Sequence, residues 1–213
     1  MHEHIMSKDR HDLLGKLESS FIEDFYLAGG TALALQLGHR WSEDLDFFTK
    51  TRFDSFELIT RLSKLGEFTL TGQDDTTVHG LMGNIKLSFL YYPYSQLEGF
   101  HIYKGIKIAH IKDIALMKII ALIQRGSKKD FIDLFFIEKE GIRIEQIMDL
   151  FSKKFCFASY EPMLIYKSLG YFEDADREIT PKMFIDISWE KIKSYFSNRQ
   201  KELLEEELQK LGD

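Results

Sequence analysis

The sequence predicts an α/β (α+β) protein: a mixed β-sheet with flanking helices over residues 1–110, followed by a helical part over residues 111–213. Three observations predict this. Short segments rich in Phe, Thr, Ile and Val alternate with helical-period segments in the order β-α-β-α-β-β-β, ending near Leu90. A glycine pair, Gly29-Gly30, joins the first strand to the helix after it, where the backbone must turn tightly. After Ile111 the segments read as helices, with apolar residues at helical spacing.

Residues 9–20 are expected to form a short helix with Leu13, Leu14 and Leu17 as its apolar stripe. Phe25–Ala28 is a short strand feeding the glycine turn, Thr31–Gly38 is the following helix, and Gly38 suits its C-terminal stop. Asp44–Phe48 alternates acid and apolar residues as a strand does. Asp54–Leu65 is a helix to which Phe56, Leu58, Ile59 and Leu62 contribute the apolar side, and Gly66 ends it. Strands follow at Phe68–Thr71, Thr77–Met82 and Asn84–Leu90, with turns or bulges at Gly80 and Gly83. The later helices are expected at Ile144–Phe155, Pro162–Leu169 and Ser188–Leu211. The last of these carries Trp189, Ile192, Phe196, Leu203, Leu204, Leu208 and Leu211 as a packing face. Tyr160, Tyr166 and Tyr171 are expected in aromatic packing rather than stacked on bases.

Composition narrows the function classes. A chain of 213 residues, 44% hydrophobic and 29% charged, buries a sizeable core. Its single cysteine, Cys156, lies in an apolar setting and cannot form an internal disulfide, which suits a reducing cytoplasm. No apolar run approaches the ~20 residues that span a bilayer, and the polar start MHEHIMSKDRHD lacks a signal-peptide core. A cytoplasmic protein without a membrane partner is expected. The net charge of -6 argues against non-specific coating of nucleic acid, which needs many Lys/Arg–phosphate contacts. Charge is nonetheless uneven: from His101 to Asp130 seven Lys/Arg face two acids, an asymmetry that can steer an anion. The seven histidines show no metal-ligand spacing; His2 and His4 are close enough to grip a metal adventitiously.

Leu27–Thr49, LAGGTALALQLGHRWSEDLDFFT, is the stretch that carries chemistry. A helix beginning just after Gly29-Gly30 points unpaired N–H groups and its positive dipole end at whatever lies over the turn, which favours phosphate. Gly29, Gly30 and Thr31 are therefore candidate nucleotide-binding residues. Arg40, in the connection that follows, is a candidate partner for Asp44, Asp46 or a phosphate. Asp44 and Asp46 project from one face of their strand, where two carboxylates repel unless a cation joins them. Mg²⁺ is the natural candidate, since it takes hard oxygen ligands and is commonly held by one or two carboxylates plus substrate phosphates.

The pattern of apolar residue, Gly-Gly, thirteen residues, then Asp-apolar-Asp-apolar resembles the signature of the nucleotidyltransferase superfamily typified by DNA polymerase β. The text AGGTALALQLGHRWSEDLDFF is similar to the abortive-infection toxin nucleotidyltransferases of the AbiEii/AbiGii type. A second segment, IKDIALMKIIALIQRGSKKDFIDLFFI, Ile111–Ile137, resembles that family's second signature: a lysine on a helix, then Arg-Gly, then Lys-Asp-x-x-Asp. Lys118 and Arg125 are two helical turns apart and share a face. Ser127 is placed to cap the next helix, where Asp130 and Asp133 are i,i+3 neighbours and Lys129 and Asp133 an i,i+4 pair.

The resemblance implies a nucleotidyltransferase-fold domain at 1–110 and a helical domain at 111–213 that completes the active site between them. It implies NMP transfer from an NTP to an acceptor hydroxyl, RNA and particularly tRNA in relatives, by a toxin with a separately encoded antitoxin. In that scheme Asp44 and Asp46 hold Mg²⁺ on the triphosphate, and Gly29, Gly30 and Thr31 cradle phosphate. Lys118, with Lys129 or Arg125, neutralises developing charge. One of Asp130 and Asp133 completes the site; Asp133 is preferred, with Asp130 orienting Lys129. One departure stands out. Superfamily members often carry a third acid on the strand here read as Lys86-Leu87-Ser88-Phe89, and this chain has Ser88. The base role is then left to the substrate, to one-metal chemistry or to an acid from another segment. Ser88 also supports a rival reading, a nucleotide-binding regulatory module without transfer activity. A third reading keeps the chemistry and makes a protein hydroxyl the acceptor.

Overall fold

A computed structural model describes residues 1–18, 22–155 and 161–212. Cys156, Tyr160 and the last two residues of the helix expected over 9–20 lie outside the described residues, as does the side chain of Leu211. The chain divides into two compact units, Met1–Ile114 and Ala115–Asp213.

The first unit is a seven-stranded mixed sheet with helices. After a 3₁₀ turn at Glu3–Ile5 come α1 (Lys8–Glu18), β1 (Tyr26–Leu27), α2 (Gly29–Leu37), β2 (Leu45–Thr49) and α3 (Ser55–Leu65). Then come β3 (Phe68–Gln73), β4 (Thr77–Met82), β5 (Ile85–Tyr91), β6 (His101–Tyr103) and β7 (Ile106–Ile108). The strand order is β3-β4-β5-β2-β1-β7-β6. β2 runs parallel to β5 and β1 parallel to β7, and the other neighbours are antiparallel.

Local chemistry accounts for most boundaries. Gly38 ends α2 in the left-handed region, φ 66°, and its N–H reaches the Ala34 carbonyl at 2.7 Å. Asp54 caps α3, its carboxylate accepting the Glu57 N–H at 3.0 Å. Along β2, Leu45, Phe47 and Thr49 are buried while Asp46 and Phe48 are half-exposed. The buried face is sealed by Phe47 stacked on its register partner Phe89, centroids 5.2 Å apart.

Three expectations needed correction. α2 begins at Gly29 rather than Thr31, so both glycines form the helix's first turn. Phe56 is 80% exposed; Leu58 and Leu62, one helical turn apart, carry the buried side of α3, and Phe56 points well away from them. The hairpin β6–β7 was not anticipated. Its strands have three residues each, and its two-residue turn is Lys104-Gly105, both at positive φ, a turn type normally signalled by Asn-Gly.

The second unit is helical. α4 (Ile111–Arg125) begins at the end of the first unit and is followed by α5 (Lys128–Lys139), α6 (Ile144–Lys154), α7 (Pro162–Leu169), α8 (Glu173–Asp176) and α9 (Trp189–Gly212). The run Asp130–Glu138 of α5 is buried throughout, as expected of a central helix. The Phe131 ring sits among Phe172, Trp189 and Phe196, with centroids 5.0 to 5.8 Å away. Ile192, Phe196 and Leu203 form the packing face of α9, and Leu208 is 64% exposed. Arg199 ties α9 to α6 through Glu145 at 2.6 Å. Tyr166 is buried in this packing and Tyr171 is exposed. No helix among the described residues is long and apolar enough to cross a membrane.

Candidate active site

β1 delivers the chain to the glycine turn, and the Ala28 N–H is held by the Asp46 carbonyl at 3.1 Å. Gly29 adopts φ 67°, which bends the backbone from strand into helix and which side-chain-bearing residues rarely adopt. A Cβ at Gly29 would stand 3.3 Å from Asp46 Oδ2. The Asp46 carboxylate therefore lies directly over the turn. A Cβ at Gly30 would collide with the Arg40 guanidinium and come within 3.5 Å of Ser42 Oγ. Gly29, Gly30, Arg40, Ser42 and Asp46 thus converge on one point, at the first turn of α2, whose N–H groups have no acceptor within the helix.

Arg40 is 3% exposed, and its Nη1 donates to the Trp41 carbonyl at 3.0 Å. The Thr31 side chain is spent internally. Its hydroxyl donates to the Asp44 carbonyl and shares a hydrogen bond with Ser42 Oγ at 2.8 Å, fastening the connection to α2. Only the Thr31 backbone N–H is left to serve a ligand. Ser42 was not singled out by sequence reasoning; the available signal was a polar residue two places before the first acid.

Asp46 is half-buried on the face of β2 opposite Leu45 and Phe47, whereas Asp44, expected as the first residue of that strand, is exposed and lies just before it, since β2 starts at Leu45. Ser88 is the register partner of Asp46 on the parallel strand β5. Among the described residues no three His, Cys, Asp or Glu side chains converge as a metal-binding group. The donor set fits Mg²⁺ on a triphosphate all the same. Two carboxylates open to one side supply hard oxygens and leave room for phosphate oxygens and water to complete the shell.

In the second unit Lys118, Arg125, Asp130 and Asp133 form one charge cluster. Lys118 Nζ lies 2.9 Å from Asp130 Oδ1 and 2.6 Å from Asp133 Oδ2, and all three residues are buried. Arg125 Nε reaches Asp130 Oδ2 at 2.9 Å and its Nη2 reaches Oδ1 at 3.1 Å. Ser127 occupies the cap position of α5, but its hydroxyl donates to the Asp130 carboxylate at 2.9 Å instead of capping a backbone N–H. Burial works to raise the Asp130 carboxyl, but the Lys118 ammonium and the Arg125 guanidinium outweigh it and hold the group below the usual carboxylate range. Lys129, expected beside Asp130 and Asp133, is exposed, and the two acids turn to Lys118 and Arg125 instead. The i,i+4 spacing suggested Lys129; burial of α5 decides for the cations on α4, because a carboxylate removed from water needs a partner removed with it.

The model of the family described as "Nucleotidyl transferase AbiEii toxin, Type IV TA system" matches residues 12–85 and 83–209. The uncharacterized protein aq_aa25 of Aquifex aeolicus (strain VF5) is 42% identical over 206 residues, covering 94% of this chain and 98% of that protein. JHP933 from Helicobacter pylori has the same fold, with a TM-score of 0.57 at 18% identity over 97% of this chain and 98% of that one. A candidate nucleotidyltransferase from H. pylori gives a TM-score of 0.53 at 19% identity, with 99% of each chain covered. The chain is a nucleotidyltransferase and belongs to the AbiEii toxin family of type IV toxin–antitoxin systems.

Proposed function

We propose that the protein transfers an NMP from an NTP to an acceptor hydroxyl on RNA, with tRNA as the favoured class, and that it acts in the cytoplasm as a toxin paired with a separately encoded antitoxin. The observation that carries this reading is the Asp46 carboxylate lying over Gly29 at the first turn of α2, with Asp44 exposed just ahead of the strand that bears Asp46. Asp44 and Asp46 hold Mg²⁺, which would neutralise the triphosphate and the departing pyrophosphate. The backbone N–H groups of Gly29, Gly30 and Thr31 receive phosphate oxygens, and the Arg40 guanidinium packed on Gly30 adds a fixed positive charge at the same place. In the helical part, residues 111–213, Lys118 is the proposed cation for the transferring phosphates. Asp130 and Asp133 set its position, and Arg125 shares the load on Asp130. Lys129, exposed at the start of α5, is assigned to further phosphate contact. Positioning and electrostatics supply most of the rate in such a reaction.

The test is a transfer assay with Mg²⁺, total cellular RNA and each α-labelled NTP in turn, comparing wild type with Asp46→Ala. Label in a discrete RNA band with wild type only supports the reading and identifies nucleotide and acceptor together. Label in co-incubated protein would move the acceptor from RNA to a protein hydroxyl. A second reading, a nucleotide-binding module without transfer, is favoured by Ser88 standing beside Asp46 where an acid would be expected. NTP binding with no label in RNA or protein would establish it.

A further inference from the structure

The proposed transfer needs a group to take the proton from the attacking hydroxyl; Ser88 cannot do so as a carboxylate would, and Asp133 and Asp130, the acids expected to complete the site, are buried against Lys118. Strand register supplies another candidate. Asp46 on β2 pairs with Ser88 on β5, and Ser88 pairs with His79 on β4. Directly paired residues in a sheet project from the same face, so Asp46, Ser88 and His79 form a row across three adjacent strands. The burial pattern agrees. Leu45, Phe47, Leu87, Phe89 and Val78 are buried on the opposite face, whereas Asp46 and Ser88 are half-exposed and His79 is exposed. Neighbouring strands lie ~5 Å apart, which puts the His79 α-carbon ~10 Å from that of Asp46. The short serine between them leaves open the space an acid would fill, with His79 on the far side of that space from Asp46.

We infer that His79 is the proton acceptor of the transfer reaction, standing in from the next strand for the acid that position 88 lacks; the assignment rests on the transfer reading above. As the acceptor oxygen bonds to the α-phosphorus, its proton passes to a neutral imidazole nitrogen of His79. The bond from the α-phosphorus to the bridging oxygen breaks, and pyrophosphate leaves with that electron pair. The imidazolium then returns the proton to water. Histidine suits the step because a neutral imidazole carries one ring nitrogen that accepts a proton. The groups facing it are few. On β3 its register partner is Gly72, which has no side chain to crowd the ring. Two charged residues flank it: Lys86, diagonal to it on β5, and Asp74, just beyond the end of β3. The hydrogen bonds from Thr76, with His79 contributing, keep the Asp74 carboxyl below its usual range, so a negative charge persists beside the imidazole.

The experiment uses the full chain in the transfer assay, with His79→Gln and His79→Ala beside wild type and Asp46→Ala. His79 is exposed, so both variants are expected to fold, checked by circular dichroism and thermal melting. The expected result is a kcat about 100-fold lower in His79→Gln with little change in KM for the NTP. The acid-side fall of the wild-type rate should be absent from that variant, and added imidazole should restore part of the rate of His79→Ala. A purely structural role would produce neither the altered pH profile nor the rescue. If wild type transfers, Asp46→Ala does not, and His79→Gln matches wild type with its pH profile intact, the His79 assignment is overturned and the transfer reading stands. If wild type transfers nothing, the transfer reading fails and takes the His79 assignment with it.

Discussion

The two acid pairs of this chain are built in opposite ways. Asp44, just before β2, is exposed, and Asp46, on β2, is half-buried. Asp130 and Asp133 are fully buried and meet Lys118 at 2.9 and 2.6 Å, with Arg125 completing a cluster of two cations and two carboxylates. Lys118 and the two carboxylates are shut away from water while the Arg125 side chain is 63% exposed, and the buried ions require one another because each desolvated charge needs a partner. Charges that water still reaches carry no such necessity. Removing a charge should therefore cost activity alone in the first unit, and stability as well as the activity proposed for Lys118 in the second.

The largest expected effect is Asp46→Ala. Transfer should fall by at least about 1,000-fold, the scale on which removal of a transition-state electrostatic group is felt. The half-exposed site should leave stability within about 1 kcal/mol. A urea titration run beside the assay checks both, and a loss of activity that tracked unfolding would erase the contrast. Next is Lys118→Ala, which leaves buried carboxylates without their shared cation. Breaking a buried pair from one side costs about 3–5 kcal/mol, so the urea midpoint should drop sharply. A midpoint unchanged within error would mean that water reaches the cluster.

The buried cluster also predicts a pH dependence. The Asp130 carboxyl titrates lower in the folded chain than its ordinary value. Its ionised form therefore stabilises the fold above the unfolded pKa of about 3.9, and that contribution is lost as pH falls through the lower folded value. Stability should decline on acidification below about pH 4, and Asp130→Asn should flatten that decline while lowering stability at neutral pH. Denaturant midpoints at pH 7, 4 and 3 for both proteins provide the check.

What was legible in the sequence follows the same division. The glycine pair and the alternating acids were readable because both depend on local rules, the backbone freedom of glycine and the two-residue period of a strand. Ser88 was marked by the resemblance, as a serine where relatives often carry an acid, but its pairing with Asp46 across two parallel strands is a long-range contact that the strand text does not announce. The partners of Asp130 were not legible either. The spacing offered Lys129 four residues before Asp133, while the fold brings Lys118 and Arg125 across from α4, a choice made by burial of a whole helix face. Thr31 was legible as part of the turn, yet its hydroxyl serves the Asp44 carbonyl and Ser42, a contact between segments that no period in the sequence announces. The β6–β7 hairpin escaped because Lys104-Gly105 replaces the usual turn signal and three-residue strands carry almost no alternation to detect.

The smallest effects lie on α3, where one cap and one misplaced aromatic sharpen the contrast between what a contact and what mere hydrophobicity contribute. Asp54 accepts the Glu57 N–H at 3.0 Å at the start of the helix, so Asp54→Ala should lower stability by about 1 kcal/mol. Phe56, two residues later, is larger and more apolar but 80% exposed. Removing it uncovers little buried area, and Phe56→Ser should change stability by no more than about 0.5 kcal/mol. Thermal melts of the two single variants rank them directly. A larger loss from Phe56→Ser than from Asp54→Ala would mean that Phe56 is covered in solution, most simply by another molecule of the protein. The dependence of the melting temperature on protein concentration would then reveal it.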